Sequence, residues 1–375
     1  MHITFVSAEY PLWASGGVGT FLQTFGRAMV ARGHDITILG VGDDESEQLL
    51  DDEGVKIIRL PRNTSKLPNF LYNARHLNKR LQIIQQSRPI DIIETAELGL
   101  AIISRNHPAK RVIRLHGGHH FFAEAEKRGI NWRKGILEKR SFKKADGFIA
   151  VSGYVKSHTA KYLNYHGKPV QIINYPIDTD ISPPSVNVNK DHILFAGTIC
   201  EKKGVRQLLL AFYELRESFP EKILDLYGRD WYYPDGNSYI ETLKKTYDAA
   251  YFENVHFHGS IPREELDQRY AEASFCIFPS HMETQGLVTL EAMLLEKPVI
   301  FSLYGPGPET IEHGVTGLLC DVYDPADITL KMKWIIENPV AATEMGRSGR
   351  QQVLKKYDIN SILDRNIAFY KSLIT

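Results

Sequence analysis

Strand-like and helix-like spacings of apolar residues alternate along the first half of this chain. A short apolar run at 3–7 predicts a buried strand. Residues 20–32 carry apolar side chains at helical spacing until Gly33 ends the series, and 35–39 is again strand-like. Strand, helix and strand at this spacing predict a parallel sheet with crossover helices. The rhythm continues with strands at 55–60, 91–94, 112–115, 147–151 and 170–173, and with helices at 74–86 and 132–144. Pro183-Pro184-Ser185-Val186-Asn187-Val188-Asn189 interrupts it with the composition of a linker. A second series opens at Ile193-Leu194-Phe195-Ala196-Gly197, with a helix at 205–217 and strands at 223–227, 256–258, 275–278 and 299–301. Residues 359–373 are helical in pattern. The expectation is an α/β chain of two Rossmann-like domains, 1–185 and 190–355, closed by a helix in 356–375.

Length agrees, because 375 residues exceed what one hydrophobic core usually serves. The formal net charge is zero, which argues against a nucleic-acid partner. The charge is unevenly placed: residues 1–189 carry a balance of +7 and residues 190–375 a balance of −7. Two domains with different partners account for this, as does chance. Cys200, Cys276 and Cys320 are too few and too scattered for a disulfide framework, which suits a reducing, cytoplasmic setting. The first residues lack a signal-peptide pattern, and no apolar run approaches the length of a membrane helix.

Candidate chemistry concentrates where strands end. In His281-Met282-Glu283-Thr284-Gln285-Gly286-Leu287-Val288-Thr289-Leu290-Glu291-Ala292-Met293, a strand ends, a glycine turn follows and a helix starts, with Lys297-Pro298-Val299-Ile300 opening the next strand. Free amides at Gln285, Gly286, Leu287 and Val288 make an anion site suited to a diphosphate. Glu283 and Glu291 stand eight residues apart beside it and can accept hydrogen bonds from sugar hydroxyls. The plainer alternative is an acid favoured by a helix dipole and a solvated helix residue. Ser15-Gly16-Gly17-Val18-Gly19 precedes the first helix, and its glycines let backbone come close to a phosphate or sugar. It follows its strand too late for a dinucleotide fingerprint, and no acid ends the second strand. Leu115-His116-Gly117-Gly118-His119-His120 closes another strand; its histidine spacing is not that of a zinc site, and no metal ligand set is expected.

Together these segments resemble the retaining glycosyltransferases of the GT-B fold that carry Glu-x7-Glu in the second domain, often called family 4, over nearly the whole chain. The resemblance implies two facing Rossmann-like domains with the active site in the cleft between them, and a last helix packed back on the first domain. It implies that Glu283 contacts the donor sugar near the reacting centre, that Glu291 binds the ribose, and that His116 bonds a donor-sugar hydroxyl. Gly16 and Gly17 would lie against donor and acceptor. His119 and His120 are then loop residues or acceptor contacts.

The family's Gly-Arg-x-x-x-x-Lys-Gly segment is matched by Gly197-Thr198-Ile199-Cys200-Glu201-Lys202-Lys203-Gly204, with Lys203 neutralising the diphosphate. Thr198 stands where Arg is usual and brings no charge, so either Lys202 compensates or donor binding differs. Asn174-Tyr175-Pro176-Ile177-Asp178 resembles the family's Asn-Gly-Val-Asp, with Tyr-Pro replacing Gly; Asp178-Thr179-Asp180 is read as structural. Gly305-Pro306-Gly307-Pro308-Glu309 resembles a following loop, which puts Glu309 beside the donor.

The implied activity is hexosyl transfer from a nucleotide diphosphate sugar to a glycan, lipid-linked or small-molecule acceptor. It needs no metal or other cofactor, since Lys203 and helix amides stabilise the leaving group. A nucleotide-sugar epimerase of the same architecture and a non-catalytic sugar-binding descendant are the competing readings. Residues 127–144 hold eight cations against Glu138, interleaved with Trp132, Ile136 and Leu137. They read either as a solvated helix or as a peripheral contact with an anionic membrane.

Overall fold

A computed structural model describes residues 1–13, 16–125, 129–179, 181–183 and 186–375. Ser15 of the glycine segment, Lys127 and Arg128 of the basic segment, Asp180, and Pro184 and Ser185 of the linker lie outside the described residues. The chain divides into two compact units, Met1–Pro176 with Ile359–Thr375, and Ile177–Asp358.

Unit 1 runs β1 His2–Val6, α1 Gly17–Ala31, β2 Asp35–Val41, β3 Gln48–Asp52, β4 Val55–Leu60, α2 Asn69–Ser87, β5 Ile92–Thr95, β6 Lys110–Leu115, α3 His119–Ala125, α4 Trp132–Phe142, β7 Gly147–Ala150, α5 Gly153–Ala160 and β8 Val170–Ile172. Its sheet has the order β3-β4-β2-β1-β5-β6-β7-β8. Ile3 of β1 lies opposite Ile36 on one side and Ile92 on the other. These inner strands are buried on both faces, which is why they read as apolar runs rather than alternations. All pairings are parallel except β3 with β4, a hairpin turning through Glu53 and Gly54 at positive φ. This edge strand was not predicted: Leu49 and Leu50 are exposed, so no strand periodicity marks it.

Unit 2 runs β9 Asn189–Ala196, α6 Val205–Arg216, β10 Ile223–Tyr227, α7 Tyr239–Thr246, β11 Val255–Gly259, α8 Arg263–Glu272, β12 Ala273–Phe278, α9 Leu287–Leu294, β13 Val299–Ser302, α10 Gly307–Thr310, β14 Leu318–Cys320, α11 Pro325–Glu337 and α12 Pro339–Lys356. Its sheet is wholly parallel, in the order β11-β10-β9-β12-β13-β14. In each unit the strand order reverses once, between β1 and β5 and between β9 and β12. In doubly wound sheets ligands gather outside the carboxyl ends of the strands at that reversal.

Residues 177–183 group with unit 2, although the sequence pattern set the boundary after 185. The Ile177 amide donates to the Tyr357 carbonyl (3.3 Å), and Arg350 reaches the Ile181 carbonyl (3.1 Å). The last helix, α13 Ile359–Ile374, belongs to unit 1. Its Asn366 and Tyr370 take hydrogen bonds from the buried Arg114 guanidinium at 2.8 and 3.0 Å. Arg114 also pairs with Glu94 (2.6 Å), which accepts from the Tyr370 hydroxyl (2.6 Å). Phe21 lies over the same guanidinium at 4.5 Å. The ion pair is thus enclosed: Nε and one terminal nitrogen of Arg114 are satisfied by Glu94, Asn366 and Tyr370, while its other terminal nitrogen is buried with no partner among the described residues. Among the described residues no helix is long and apolar enough to cross a membrane.

Candidate functional site

In unit 1 the loops leaving β1, β5 and β6 bring Gly16, Glu97 and His116 to the carboxyl ends of adjacent strands. The segment between β1 and α1 is held by Tyr10, whose hydroxyl donates to Asp52 (2.6 Å). That anchor explains why the glycines come late. A Cβ on Gly16 would fall 2.6 Å from the Glu9 carboxylate, whereas Gly17 has open space. An acid therefore stands at the start of α1, which suits binding of hydroxyls better than binding of phosphate there.

His116 is half-buried between Phe21 and Tyr175, and its Nδ1 lies 2.5 Å from the Tyr175 hydroxyl. Burial, with the charge of Arg114, lowers its pKa to about 3, so the ring is neutral at working pH. Tyr175 is the residue standing where the family carries Gly, and its role was not legible from that departure. Glu97 was missed altogether. It accepts from the Gly117 amide (2.8 Å), and burial raises its carboxyl to about 8, with the charge of Glu138 adding to the rise.

His119 and His120 are not loop residues but the first residues of α3, and both are buried. Glu138 accepts their backbone amides and pairs with the His120 ring, while His119 Nε2 accepts from the Asn131 amide (2.8 Å). This helix start is already neutralised by an internal carboxylate. Glu138 is likewise not the solvated counter-charge of the basic segment. Lys144 is buried too, donating to the carbonyls of Ala101 and Ile103. The helix begins only at Trp132, capped by the Asn131 side chain.

In unit 2 the loops after β9 and β12 are joined at the strand reversal. Gly204 adopts φ 72°, and a Cβ there would overlap the Pro279 carbonyl oxygen. The His281 amide donates to the Lys202 carbonyl (2.9 Å). This close approach places the Lys203 ammonium on Glu283, which also accepts from the Ser280 hydroxyl (3.1 Å). Gly286, at φ 79° over the Phe301 ring, turns the chain into α9. No side chain caps that helix start and no acid lies in its first turn. Leu287 and Val288 are half-exposed at its first positions, and Gln285 is buried beneath. Among the described residues, unlike the start of α3, this one has no carboxylate held on the amides of Leu287 and Val288.

Glu291 is largely buried, not a solvated helix residue, and pairs with Arg263 of α8, which also holds Asp267 (2.9 Å). Burial opposes the charge of Arg263, but Glu291 and Asp267 raise its pKa above the usual value. Sequence reasoning missed Arg263 because no local spacing ties it to Glu291. Thr198 and Lys202 are half-exposed in the loop after β9. Glu309, in α10 after β13, lines a cavity with Gln352, Lys355 and Lys356, and its carbonyl accepts from Lys356. Among the described residues no group of three or more His, Cys, Asp or Glu is placed to hold a metal ion.

Two doubly wound units, with charged and glycine-bearing loops gathered at each strand reversal, define the class as a two-unit Rossmann-like enzyme. Residues 15–181 match the model described as Glycosyltransferase Family 4, and residues 177–352 match Glycosyl transferases group 1. The chain is similar to a glycogen synthase of Mycobacterium tuberculosis, 23% identical over 99% of this chain and 94% of that one. In structure it is similar to sucrose-phosphate synthase from Thermosynechococcus elongatus, with TM-score 0.85, 20% identity and coverage of 99% and 98%. It is also similar to Anabaena HepE in complex with UDP and glucose, with TM-score 0.79, 18% identity and coverage of 99% and 100%. The chain belongs to the family 4 glycosyltransferases of the GT-B fold.

Proposed function

We propose that the enzyme moves a hexosyl unit from a nucleoside diphosphate sugar to an acceptor hydroxyl, with retention at the anomeric carbon and without a metal ion. One observation carries this reading: Lys203 meets Glu283 where β9 and β12 end, beside the uncapped start of α9. An ammonium and free helix amides stabilise the charge that develops on a leaving diphosphate. Glu283 then accepts from a donor-sugar hydroxyl and Glu291, steadied by Arg263, from the ribose diol. The neutral His116 ring serves a donor-sugar hydroxyl, and the Glu9–Gly16 edge receives the acceptor. The acceptor oxygen bonds to the anomeric carbon as the bond to the diphosphate breaks, and its proton passes to the departing phosphate oxygen.

The UDP and glucose bound to HepE, and the glucan and sugar-phosphate products named for the other two relatives, support a uridine diphosphate hexose and a carbohydrate acceptor. The exposed cations of α4 support approach to an anionic membrane surface, which would suit a lipid-linked acceptor. Three free, buried cysteines are consistent with a cytoplasmic setting.

The test is a thermal-shift panel of uridine, guanosine and adenosine diphosphate hexoses, followed by product NMR with and without EDTA. Glu283→Gln and Lys203→Ala are each expected to lower turnover about 100-fold. A product of inverted configuration, abolition of activity by EDTA, or full activity in both variants overturns the reading. Appearance of an epimerised donor without acceptor points instead to an epimerase.

A further inference from the structure

Unit 1 holds a cavity of about 740 Å³ whose lining does not include His116. It opens between the start of α2 and the end of α4, beside residues 101–105 and Lys144, which precede β6 and β7. Of the lining residues, Arg105, Arg140 and Lys144 lie toward the amino ends of β6 and β7, whereas His116 follows the carboxyl end of β6. The cavity is therefore separate from the donor and acceptor loops.

Three cations line it: Arg105, Arg140 and Lys144. Among the described residues neither Arg105 nor Arg140 has an acidic partner; Asp146, which follows Lys144 in the chain, is held by Arg111 at 3.0 and 3.2 Å. Lys144 spends two of its donors on the carbonyls of Ala101 and Ile103. Its pKa falls to about 8, through burial and then the charges of Arg140, Arg105 and Arg111, so the cavity is electropositive. Its other wall is apolar: Phe70, Leu71 and Ala74 of α2. Phe70 and Leu71 are exposed nonetheless. On α4, Trp132, Ile136 and Arg140 follow one another at i, i+4 and i+8, a single stripe of the helix. Trp132 is 66% exposed and Ile136 56%. The cationic cavity is thus bordered by large, solvent-exposed apolar side chains, with the Arg133 guanidinium over the Trp132 ring at 5.2 Å.

A small inorganic anion would satisfy the charge and leave that apolar border in water. An anionic lipid surface satisfies both, because the phosphodiester is charged and the adjoining glycerol and acyl region is apolar. We infer that the cavity takes the phosphate of an anionic phospholipid in a bilayer, with Arg105 and Arg140 on the phosphate and Phe70, Leu71, Trp132 and Ile136 entering the interface. The inference deepens the membrane approach proposed above and rests on that part of the reading alone, not on the transfer chemistry.

The experiment is co-sedimentation of the full chain with phosphatidylcholine vesicles, with and without phosphatidylglycerol, at low and at physiological salt. The cavity variant R105Q/R140Q is compared with K134Q/K139Q, which removes equal charge from exposed positions of α4 outside the cavity. Wild type is expected to bind only the anionic vesicles, and the cavity variant to bind them about tenfold or more weakly than the control variant. A Trp132-dependent blue shift in emission is expected on binding, and loss of affinity in F70S/L71S without loss of thermal stability. Equal weakening in the two charge variants would overturn the headgroup cavity while leaving the membrane approach intact. Absence of binding to anionic vesicles overturns both. Binding of inorganic phosphate in the cavity, without vesicle binding, reassigns it to a soluble anion and likewise overturns the inference.

Discussion

The Tyr175 hydroxyl lies 2.5 Å from Nδ1 of His116, and Phe21 packs against both rings. The bond holds the imidazole in one orientation. Tyr175→Phe is expected to lower turnover about tenfold with little change in donor affinity or thermal stability. His116→Ala is expected to cost more. Because the ring stays neutral, the rate should show no limb near the ordinary histidine pKa. A limb appearing there in the wild type would place His116 outside the chemistry.

Two glycines separate backbone need from function. Gly204→Ala forces a side chain into a left-handed conformation and onto the Pro279 carbonyl. It is expected to cost about 3 kcal/mol, read from urea midpoints, and to disturb the Lys203–Glu283 pair. Gly17 is the first residue of α1, free of contacts at its Cβ position. Gly17→Ala is expected to stabilise by about 0.5 kcal/mol. If it raises the melting temperature while lowering turnover, the loop touches substrate; if turnover is unchanged, it is a plain turn.

Glu97 gives stability an unusual dependence on pH. Its carboxyl titrates near 4.5 in a free chain and at about 8 in the fold. Between those values the folded state holds a proton that the unfolded state has released. Stability is therefore greatest below about pH 4.5, as far as this group is concerned, and declines as pH rises through 8. The loss is on the order of 5 kcal/mol. Glu97→Gln is expected to remove that decline, so its denaturant midpoint should exceed that of wild type at about pH 9 but not at about pH 5. Parallel curves for the two proteins would refute the assignment.

Glu94 neutralises a guanidinium that has no access to water. Glu94→Ala leaves Arg114 charged and uncompensated, and about 3–5 kcal/mol of stability is expected to be lost. Tyr370→Phe, which keeps the pair but removes its hydroxyl, is expected to cost about 1 kcal/mol. Similar small losses in both variants would show that water reaches the pair.

Most inner strands and their crossover helices could be read from the chain, because parallel strands buried on both faces leave unbroken apolar runs. The Lys203-Gly204 and Glu283–Glu291 segments were legible for a related reason: glycine and charge at fixed offsets after a strand have few other uses. Glu97 and Arg263 were not, since each meets its partner across the sheet or between helices. Tyr175 was visible only as a departure from a pattern. The basic segment misled on two points, because sequence does not say which side of a helix is covered, and Glu138 and Lys144 are on the covered side.

The return of α13 to Arg114 bears on how the molecule is made. Residues 1–176 of unit 1 are translated before unit 2, yet the groups that complete unit 1's central ion pair, Asn366 and Tyr370, are translated after it. Unit 2 is contiguous and can finish first. The half of the molecule translated earliest is thus the half that closes latest, and a nascent chain halted before residue 359 carries a buried charge cluster with part of its cover absent.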